Sequence, residues 1–344
     1  MKNRSISLRG LLLAATFGFG LALPSQAQEA AGGAAMSNTL DAIRGEYAQA
    51  THLLRVKPAR GSVRALRLPP LPPHRTWMSP EIIDAWQSGY RGQGARITVV
   101  DDFLGKHRLR GDLGAGSALL RHGQWVQRGA QMLAPMAAAA THDLRRNGSV
   151  MLSGRHLNII NLSYGMLAPE GHDLSRMAWT ARERSILAHA QEGRAIVAKA
   201  AGNDGVALGA ANDAGRVDYL NLALAGRPAA LFVGALDRNG TPEDPASLAS
   251  YSNRAGSDPR FQSQFLAVGV RDDLTGLRGT SFAAPVVSGY AAVLGSKFSG
   301  AAPGQIASRL LETARSDTLR DYDPSIHGRG EASIARALAP TRID

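Results

Sequence analysis

Short runs of apolar, largely β-branched residues alternate along this chain with longer segments of helical spacing. Arg96–Val100, Leu157–Leu162, Ala195–Ala200 and Ala229–Val233 predict strands, and Ser175–Glu192 predicts one of the intervening helices. Strands that are apolar on both faces and separated by helices form parallel sheets, because crossover helices cover those faces. We therefore predict an α/β fold with a mostly parallel central sheet and helices on both faces, in three layers.

A dinucleotide-binding domain is the obvious alternative for this alternation. Its glycine-rich turn has to follow the first strand and open the next helix. Here Gly92 and Gly94 precede the strand at 96–100, whereas Asp101 and Asp102 follow it. The position of the glycines therefore argues against nucleotide binding.

Charge and cysteine content exclude several further classes. The net charge is +11, but the basic residues are spread along the chain and form no block interleaved with aromatic residues, so we expect no nucleic-acid partner. There is no cysteine, which excludes a disulfide framework, a cysteine nucleophile and thiolate metal sites.

The N-terminus has the pattern of a secretory signal peptide. Lys2, Arg4 and Arg9 precede an apolar run at Leu11–Leu23, and small residues up to Ala27 follow it. We predict a bacterial Sec-type signal, cleavage after Ala27 and a secreted or periplasmic protein with no membrane span after signal removal. An uncleaved anchor is the alternative, although the run is short for a bilayer.

Composition divides the rest of the chain into two parts. Residues 28–75 form an N-terminal pro-segment or a linker and end in the proline-rich stretch Leu68–Pro73. The alternating strands and helices begin after that stretch, so we predict one domain over residues 76–344.

The segment Gly279–Gly289 carries the most specific chemical signal. It places Ser281 at the mouth of an apolar helix rich in small residues. A serine hydroxyl needs a base and donors for an oxyanion, and a helix start supplies free backbone N–H groups. The segment resembles the nucleophile motif of the subtilisin-like serine proteases, the subtilases of peptidase family S8.

An acid and a base precede this serine. Asp101 ends the strand at 96–100, where a buried carboxylate can accept an imidazole N–H and hold its tautomer. The family has Asp followed by Ser or Thr and Gly; here Asp102 and Phe103 follow, so Asp102 remains an alternative, and the register of the motif favours Asp101 as the acid. His122 and Gly123 resemble the family's His-Gly helix start, with the glycine allowing close backbone approach.

Two further segments resemble parts of the family's substrate cleft. Ile160–Gly165 is similar to the strand that pairs with an extended peptide, and Ala200–Gly205 is similar to the oxyanion segment. The resemblance implies that the Asn203 amide donates to the oxyanion. The residues it places beside the substrate are Ser163, Tyr164, Gly165, Ala200, Ala201 and Gly202. Tyr164 and its small neighbours favour an apolar or aromatic side chain before the scissile bond.

The order Asp101, His122, Asn203, Ser281 is that of the subtilisin family. The resemblance implies an exported serine endopeptidase that hydrolyses protein or peptide substrates through a Ser-His-Asp triad and an acyl-enzyme. No step requires a cofactor. No motif nominates a metal ligand, including the structural calcium that family members often bind. We expect a monomer. A catalytically silent, peptide-binding protein with the subtilase fold is the alternative, and a transpeptidase would use the same acyl-enzyme.

Overall fold

The structure is a computed structural model that describes residues 70–343. The predicted signal peptide, residues 1–27, and nearly all of the predicted pro-segment or linker, residues 28–75, lie outside this range. The strands are β1 (Ala95–Asp101), β2 (Leu109–Gly111), β3 (Ala118–Leu120), β4 (Ala138–Asp143), β5 (Leu157–Leu162), β6 (Leu167–Pro169), β7 (Ile196–Ala200), β8 (Arg216–Asp218), β9 (Ala230–Leu236) and β10 (Phe265–Gly269).

Helices lie between and after these strands. They are α1 (Glu81–Gln87), α2 (His122–Leu133), α3 (Ala181–Gln191), α4 (Tyr219–Leu224), α5 (Pro259–Gln264), α6 (Asp272–Thr275), α7 (Ala284–Lys297), α8 (Pro303–Glu312), α9 (Pro324–His327) and α10 (Ile334–Leu338), with 3₁₀ turns at Leu174–Arg176 and Thr280–Phe282. None of the helices in residues 70–343 combines the length and apolarity needed to cross a membrane.

A six-stranded sheet in the order β10-β9-β7-β5-β1-β4 forms the centre of the fold. Every neighbouring pair in it is parallel. The four predicted strands are β1, β5, β7 and β9, so the predicted parallel α/β sheet is confirmed. Sequence reasoning missed two strands of this sheet, and also the strands of the two small two-stranded sheets, β2-β3 and β6-β8. β4 is an alanine-rich edge strand with half-exposed positions, and β10 begins directly after the last residue of α5, with no turn residues to mark where it starts.

Two hydrophobic cores lie on opposite faces of the sheet, because successive side chains of a strand point to opposite faces. On β1, Val99 packs in one core and Val100 in the other. The first core contains residues of α1, α2, α7, α8 and α10, and the second contains residues of α3, α4 and α5. Helices therefore cover both faces, which is the three-layer arrangement predicted from the sequence.

The strand order determines where a ligand can reach the sheet. After β1 the chain passes through α2 to β4 on one side; β5 lies on the other side of β1 and is followed outward by β7, β9 and β10. Chain connections thus diverge between β1 and β5, and such a point opens a crevice at the carboxyl ends of the strands. Asp101 ends β1, and Ser163 directly follows β5.

Candidate active site

Asp101 and His122 meet at this crevice. Asp101 is the last residue of β1 and is 2% exposed, and His122 is the first residue of α2. The imidazole Nδ1 lies 2.6 Å from Asp101 Oδ1. Because a carboxylate only accepts hydrogen bonds, Nδ1 carries the proton, which leaves Nε2 as the acceptor in the neutral ring.

The neighbouring carboxylate has a different partner. The side chain of Asp102 accepts the backbone N–H of Gly105, three residues along the chain. The backbone N–H of Asp102 donates to Asp101 Oδ1 at 2.6 Å. The geometry therefore distinguishes the two acids that the sequence left open: Asp101 contacts the imidazole, and Asp102 closes a local turn.

Gly123 makes the approach of helix α2 to strand β1 possible. Its N–H donates to the carbonyl oxygen of Asp102 at 3.1 Å. A Cβ atom at this position would lie 3.0 Å from Asp101 Cβ and from the same carbonyl oxygen. Real Cβ atoms rarely come so close, so a side chain here would displace the acid or the base.

Asp143, which sequence reasoning missed, anchors the loop after β1. It ends β4 and pairs in register with Asp101. Its Oδ2 accepts the N–H groups of Phe103 at 2.8 Å and Leu104 at 2.9 Å. Burial acts to raise the pKa of Asp143, but these bonds and that from Arg145 N–H stabilise the ionised form, so its pKa lies below the usual value. Only knowledge of the edge strand β4 would have indicated this role.

Ser281 lies in the short 3₁₀ turn Thr280–Phe282, just ahead of α7. Its hydroxyl donates to the carbonyl oxygen of Ser163 at 3.3 Å, and the hydroxyl of Ser163 donates to the carbonyl oxygen of Ser281 at 3.0 Å. The ring of the next residue, Phe282, packs 5.5 Å from the His122 ring between centroids. The residue after the serine thus contacts the base, and the serine hydroxyl is turned toward the end of β5.

Asn203 is oriented by the residue before the serine. Its Oδ1 accepts the N–H of Thr280 at 2.8 Å and the hydroxyl of Thr280 at 2.9 Å. A backbone N–H can only donate, so the carbonyl oxygen of the amide faces Thr280 and the NH₂ group faces away from it. Ser281 N–H lies at the start of the same turn, where helical N–H groups lack a partner within the helix. Asn203 is therefore bonded to the residue before the serine, with its NH₂ group left free of that contact.

Asn161, also missed from the sequence, connects the sheet to the helix behind the serine. It is fully buried in β5. Its Nδ2 donates to Ser163 Oγ at 3.0 Å, and its Oδ1 accepts the hydroxyl of Ser288 in α7 at 3.0 Å. A single polar residue within an apolar run gives no sequence signal for a functional role, so the part that Asn161 plays was not predictable from the sequence.

A cavity of about 280 Å³ opens beside Ser281 and Asn203. Of the predicted substrate-binding residues, its lining includes Ser163, Tyr164, Gly165, Ala200 and Gly202. Ala201 differs from the prediction. It is fully buried outside this lining, and its carbonyl oxygen accepts the side-chain amides of Asn221 and Asn253, both at 3.1 Å.

The cavity is also more polar than the sequence suggested. Lys199 and Asp218 line it together with Tyr164. The Tyr164 hydroxyl donates to Glu183 Oε1 at 3.0 Å. Burial and the neighbouring Glu183 carboxylate raise the pKa of Tyr164, so this hydroxyl stays protonated. Tyr164, which was predicted to form an apolar or aromatic wall, is thus held in place by a hydrogen bond to Glu183.

No metal-binding cluster of three or more histidine, aspartate or glutamate side chains occurs within residues 70–343. The proposal that no cofactor takes part stays a prediction.

Comparison with known proteins places this geometry in a family. The subtilase family, Peptidase_S8, matches residues 124–331, a range that contains Asn203 and Ser281 and begins two residues after His122. Mycosin-5 of Mycobacterium tuberculosis (strain ATCC 25618 / H37Rv) is 37% identical over 94 residues, which are 25% of this chain and only 16% of that protein.

Two solved structures are also similar. A lanthipeptide protease has a TM-score of 0.52 at 16% identity, over 77% of this chain and 93% of that one. MycP3 protease from the type VII (ESX-3) secretion system has a TM-score of 0.48 at 21% identity, over 75% and 86%. The first similarity supports the fold. Because the family match spans more than half of the sequence, the chain belongs to the subtilase family.

Proposed function

We propose that this protein is an exported serine endopeptidase. The observation that supports the proposal is that the groups follow the carboxyl ends of three adjacent strands: the bonded pair Asp101–His122 at β1, the Ser281 hydroxyl bonded to the residue after β5, and the Asn203 amide after β7. Peptide hydrolysis through an acyl-enzyme requires a nucleophile, a base, an acid that orients the base, and a donor to the oxyanion. Ser281 supplies the nucleophile and His122 the base. Asp101 orients His122, and Asn203 donates to the oxyanion.

The reaction begins when Ser281 Oγ leaves the Ser163 carbonyl and turns to His122. Nε2 takes the hydroxyl proton as Oγ attacks the scissile carbonyl, and it later gives that proton to the leaving amine. Asp101 holds the ring and stabilises the imidazolium. Asn203 Nδ2 and Ser281 N–H stabilise the oxyanion. Water then releases the acyl group by the same route in reverse.

The substrate is a protein or peptide whose backbone lies along Ser163–Gly165. Within the proposal, residues 76–344 form the peptidase domain and act as a monomer. Residues 1–27 direct export to the periplasm or the medium and are removed. Mass spectrometry of the N-terminus of exported Ser281→Ala protein, which cannot remove a pro-segment by its own activity, tests the last point; a first residue within 1–27 would contradict cleavage after Ala27.

A fluorophosphonate probe tests the chemistry. We expect it to label Ser281 in the wild type and to leave Ser281→Ala and His122→Ala unlabelled, because only an activated serine reacts. Protein that is folded by circular dichroism, lacks residues 28–75 and stays unlabelled would overturn the proposal.

One observation favours a second candidate, a catalytically silent peptide-binding protein. The Ser281 hydroxyl donates to the Ser163 carbonyl rather than to the imidazole. Catalytic hydrogen bonds often form only with substrate bound, so the peptidase proposal takes precedence. The unlabelled outcome above, together with measurable binding of an unstructured peptide, would instead establish the second candidate.

A further inference from the structure

A buried ion pair lines the cavity beside Ser281. Lys199 Nζ lies 3.0 Å from Asp218 Oδ2, and both residues belong to the lining. Neither charge is required by the chemistry proposed for Ser281 and His122. Because they line the same cavity as the serine, they can contact a side chain of the substrate.

Lys199 is a charged residue in the middle of a parallel sheet. It lies in β7, and its side chain is 2% exposed. Its ammonium group also donates to the carbonyl oxygen of Ala200 at 2.6 Å. A buried ammonium is costly unless it is paired and hydrogen-bonded. Asp218 therefore serves first as the buried partner of the Lys199 side chain inside the fold.

Asp218 is held rigidly against the segment proposed to bind substrate. Its Oδ1 accepts the N–H groups of Met166 at 2.9 Å and Leu220 at 3.1 Å. A Cβ on Gly165 would lie 2.6 Å from Asp218 Oδ2, so only glycine at that position lets the carboxylate come so close. The carboxylate is thus positioned by backbone and cannot rotate freely.

The carboxylate is the more accessible end of the pair. The Asp218 side chain is 13% exposed, against 2% for Lys199, so we assign Asp218 as the end that a ligand in the cavity meets. Asp204, an exposed residue, adds a second carboxylate to the lining. Two acids and one base make the lining net negative by one formal charge.

We propose that this cavity receives the side chain that precedes the scissile bond and prefers a basic one, lysine or arginine. The proposal rests on the proposed function. A cationic side chain can donate to Asp218 and Asp204 in charge-assisted hydrogen bonds. An apolar side chain would remove water from both carboxylates without returning a hydrogen bond, and an acidic one would meet like charge.

Binding of product-like peptides to Ser281→Ala tests the preference without any chemistry. The probes are acetyl-Ala-Ala-Pro-X free acids with X as Lys, Gln, Leu or Glu, measured by calorimetry. We expect the Lys peptide to bind about tenfold or more tightly than the Leu peptide, and the Glu peptide most weakly. Equal or tighter binding of the Leu peptide would overturn the proposal.

Two further substitutions, each in the Ser281→Ala background, move the preference in opposite directions. Lys199→Met leaves Asp218 unneutralised, so the Lys-over-Leu ratio should rise about threefold or more. Asp218→Asn keeps the side-chain shape and a helix-capping oxygen but removes the charge, so the ratio should fall toward one. Asp317→Asn, which breaks the exposed ion pair with Arg336, is the matched control and should leave the ratio unchanged. A fall in both cavity variants would overturn the assigned orientation of the pair.

Fluorophosphonate labelling of the wild type separates the two proposals. Labelled enzyme that prefers the Leu peptide contradicts the basic preference and leaves the peptidase function intact. Unlabelled protein that prefers the Lys peptide contradicts the peptidase function and supports the character assigned to the cavity.

Discussion

The two halves of the candidate site are built in different ways. The acid–base half joins the last residue of β1 to the first residue of α2 through one 2.6 Å contact between Asp101 and His122. The nucleophile half is a single 3₁₀ turn around Ser281, held by Ser163 and Asn203 from the ends of two other strands.

This difference decides which contacts each half depends on. The acid and base are 21 residues apart in sequence, whereas Ser281 is bonded to a residue 118 positions away. The first half follows from where a strand ends and a helix begins. The second requires β5, β7 and α7 to be packed together. The following predictions test this contrast, from the largest expected effect to the smallest.

Removing a reacting group should have the largest effect on kcat/KM, whichever half the group belongs to. We expect Ser281→Ala and His122→Ala each to lower kcat/KM by about 10⁴–10⁶, and the double variant to lose no more, because the groups act as a unit. Asp101→Asn should cost about 10⁴, since it disturbs the imidazole tautomer. Peptide cleavage assays measure this; additive losses in the double variant would show that the halves act separately.

Asn203→Ala should cost about 10²–10³ in kcat, the scale known for such a donor in subtilisin. The loss is smaller because Ser281 N–H remains as a second donor. Asn203→Asp, which keeps the bonds from Thr280 but removes the donor, should be at least as impaired. Activity of Asn203→Asp close to that of wild type would contradict the orientation of the amide.

Alanine substitution of one glycine in each half tests how well the backbone of that half tolerates a Cβ atom. Gly202 has φ +117°, and a Cβ there would lie 2.3 Å from Asn253 Nδ2, so Gly202→Ala should lower the free energy of unfolding by about 2–3 kcal/mol. Gly123 has no such φ and lies in a helix that alanine favours, although its Cβ would meet Asp101 Cβ at 3.0 Å, so Gly123→Ala should cost only about 1 kcal/mol in stability while displacing the acid–base contact. Urea denaturation measures both; equal costs would remove the contrast.

Asp143, which anchors the loop after β1, should make the stability of the acid–base half depend on pH. Its folded pKa is lowered, so its contribution to stability is present above its unfolded pKa and is lost as pH falls through the folded value. Asp143→Ala should lower the free energy of unfolding by about 1–2 kcal/mol at pH 7 and by less below about pH 4. Asp213→Ala, at an exposed position, is the control. A loss that does not shrink in acid would contradict the role of the charge.

Asp102→Asn should have the smallest effect. Asparagine can still accept the Gly105 N–H, and the imidazole contact belongs to Asp101. We expect less than about a threefold change in kcat/KM, measured beside Asp101→Asn. A loss in Asp102→Asn as large as that in Asp101→Asn would reverse the assignment of the two acids.

Local sequence patterns predicted much of the fold and the positions of the candidate residues. The strands β1, β5, β7 and β9 were predictable because continuous apolar, β-branched runs have few other folded states. Edge strand β4 was not, because half-exposed alanines carry no strong preference. Asp143 at the end of β4 was missed for the same reason, and its role depends on the parallel register with Asp101.

By itself, the sequence determined the parallel α/β architecture and the order of acid, base, amide and serine, because periodicity and short motifs act over neighbouring residues. Only the tertiary structure decided that Asp101 rather than Asp102 contacts His122, that Asn161 and Asp143 support the site, and that Lys199 and Asp218 line the cavity. Each of these depends on which buried polar groups come within hydrogen-bond distance across the sheet, and that distance is set by packing between segments far apart in the chain.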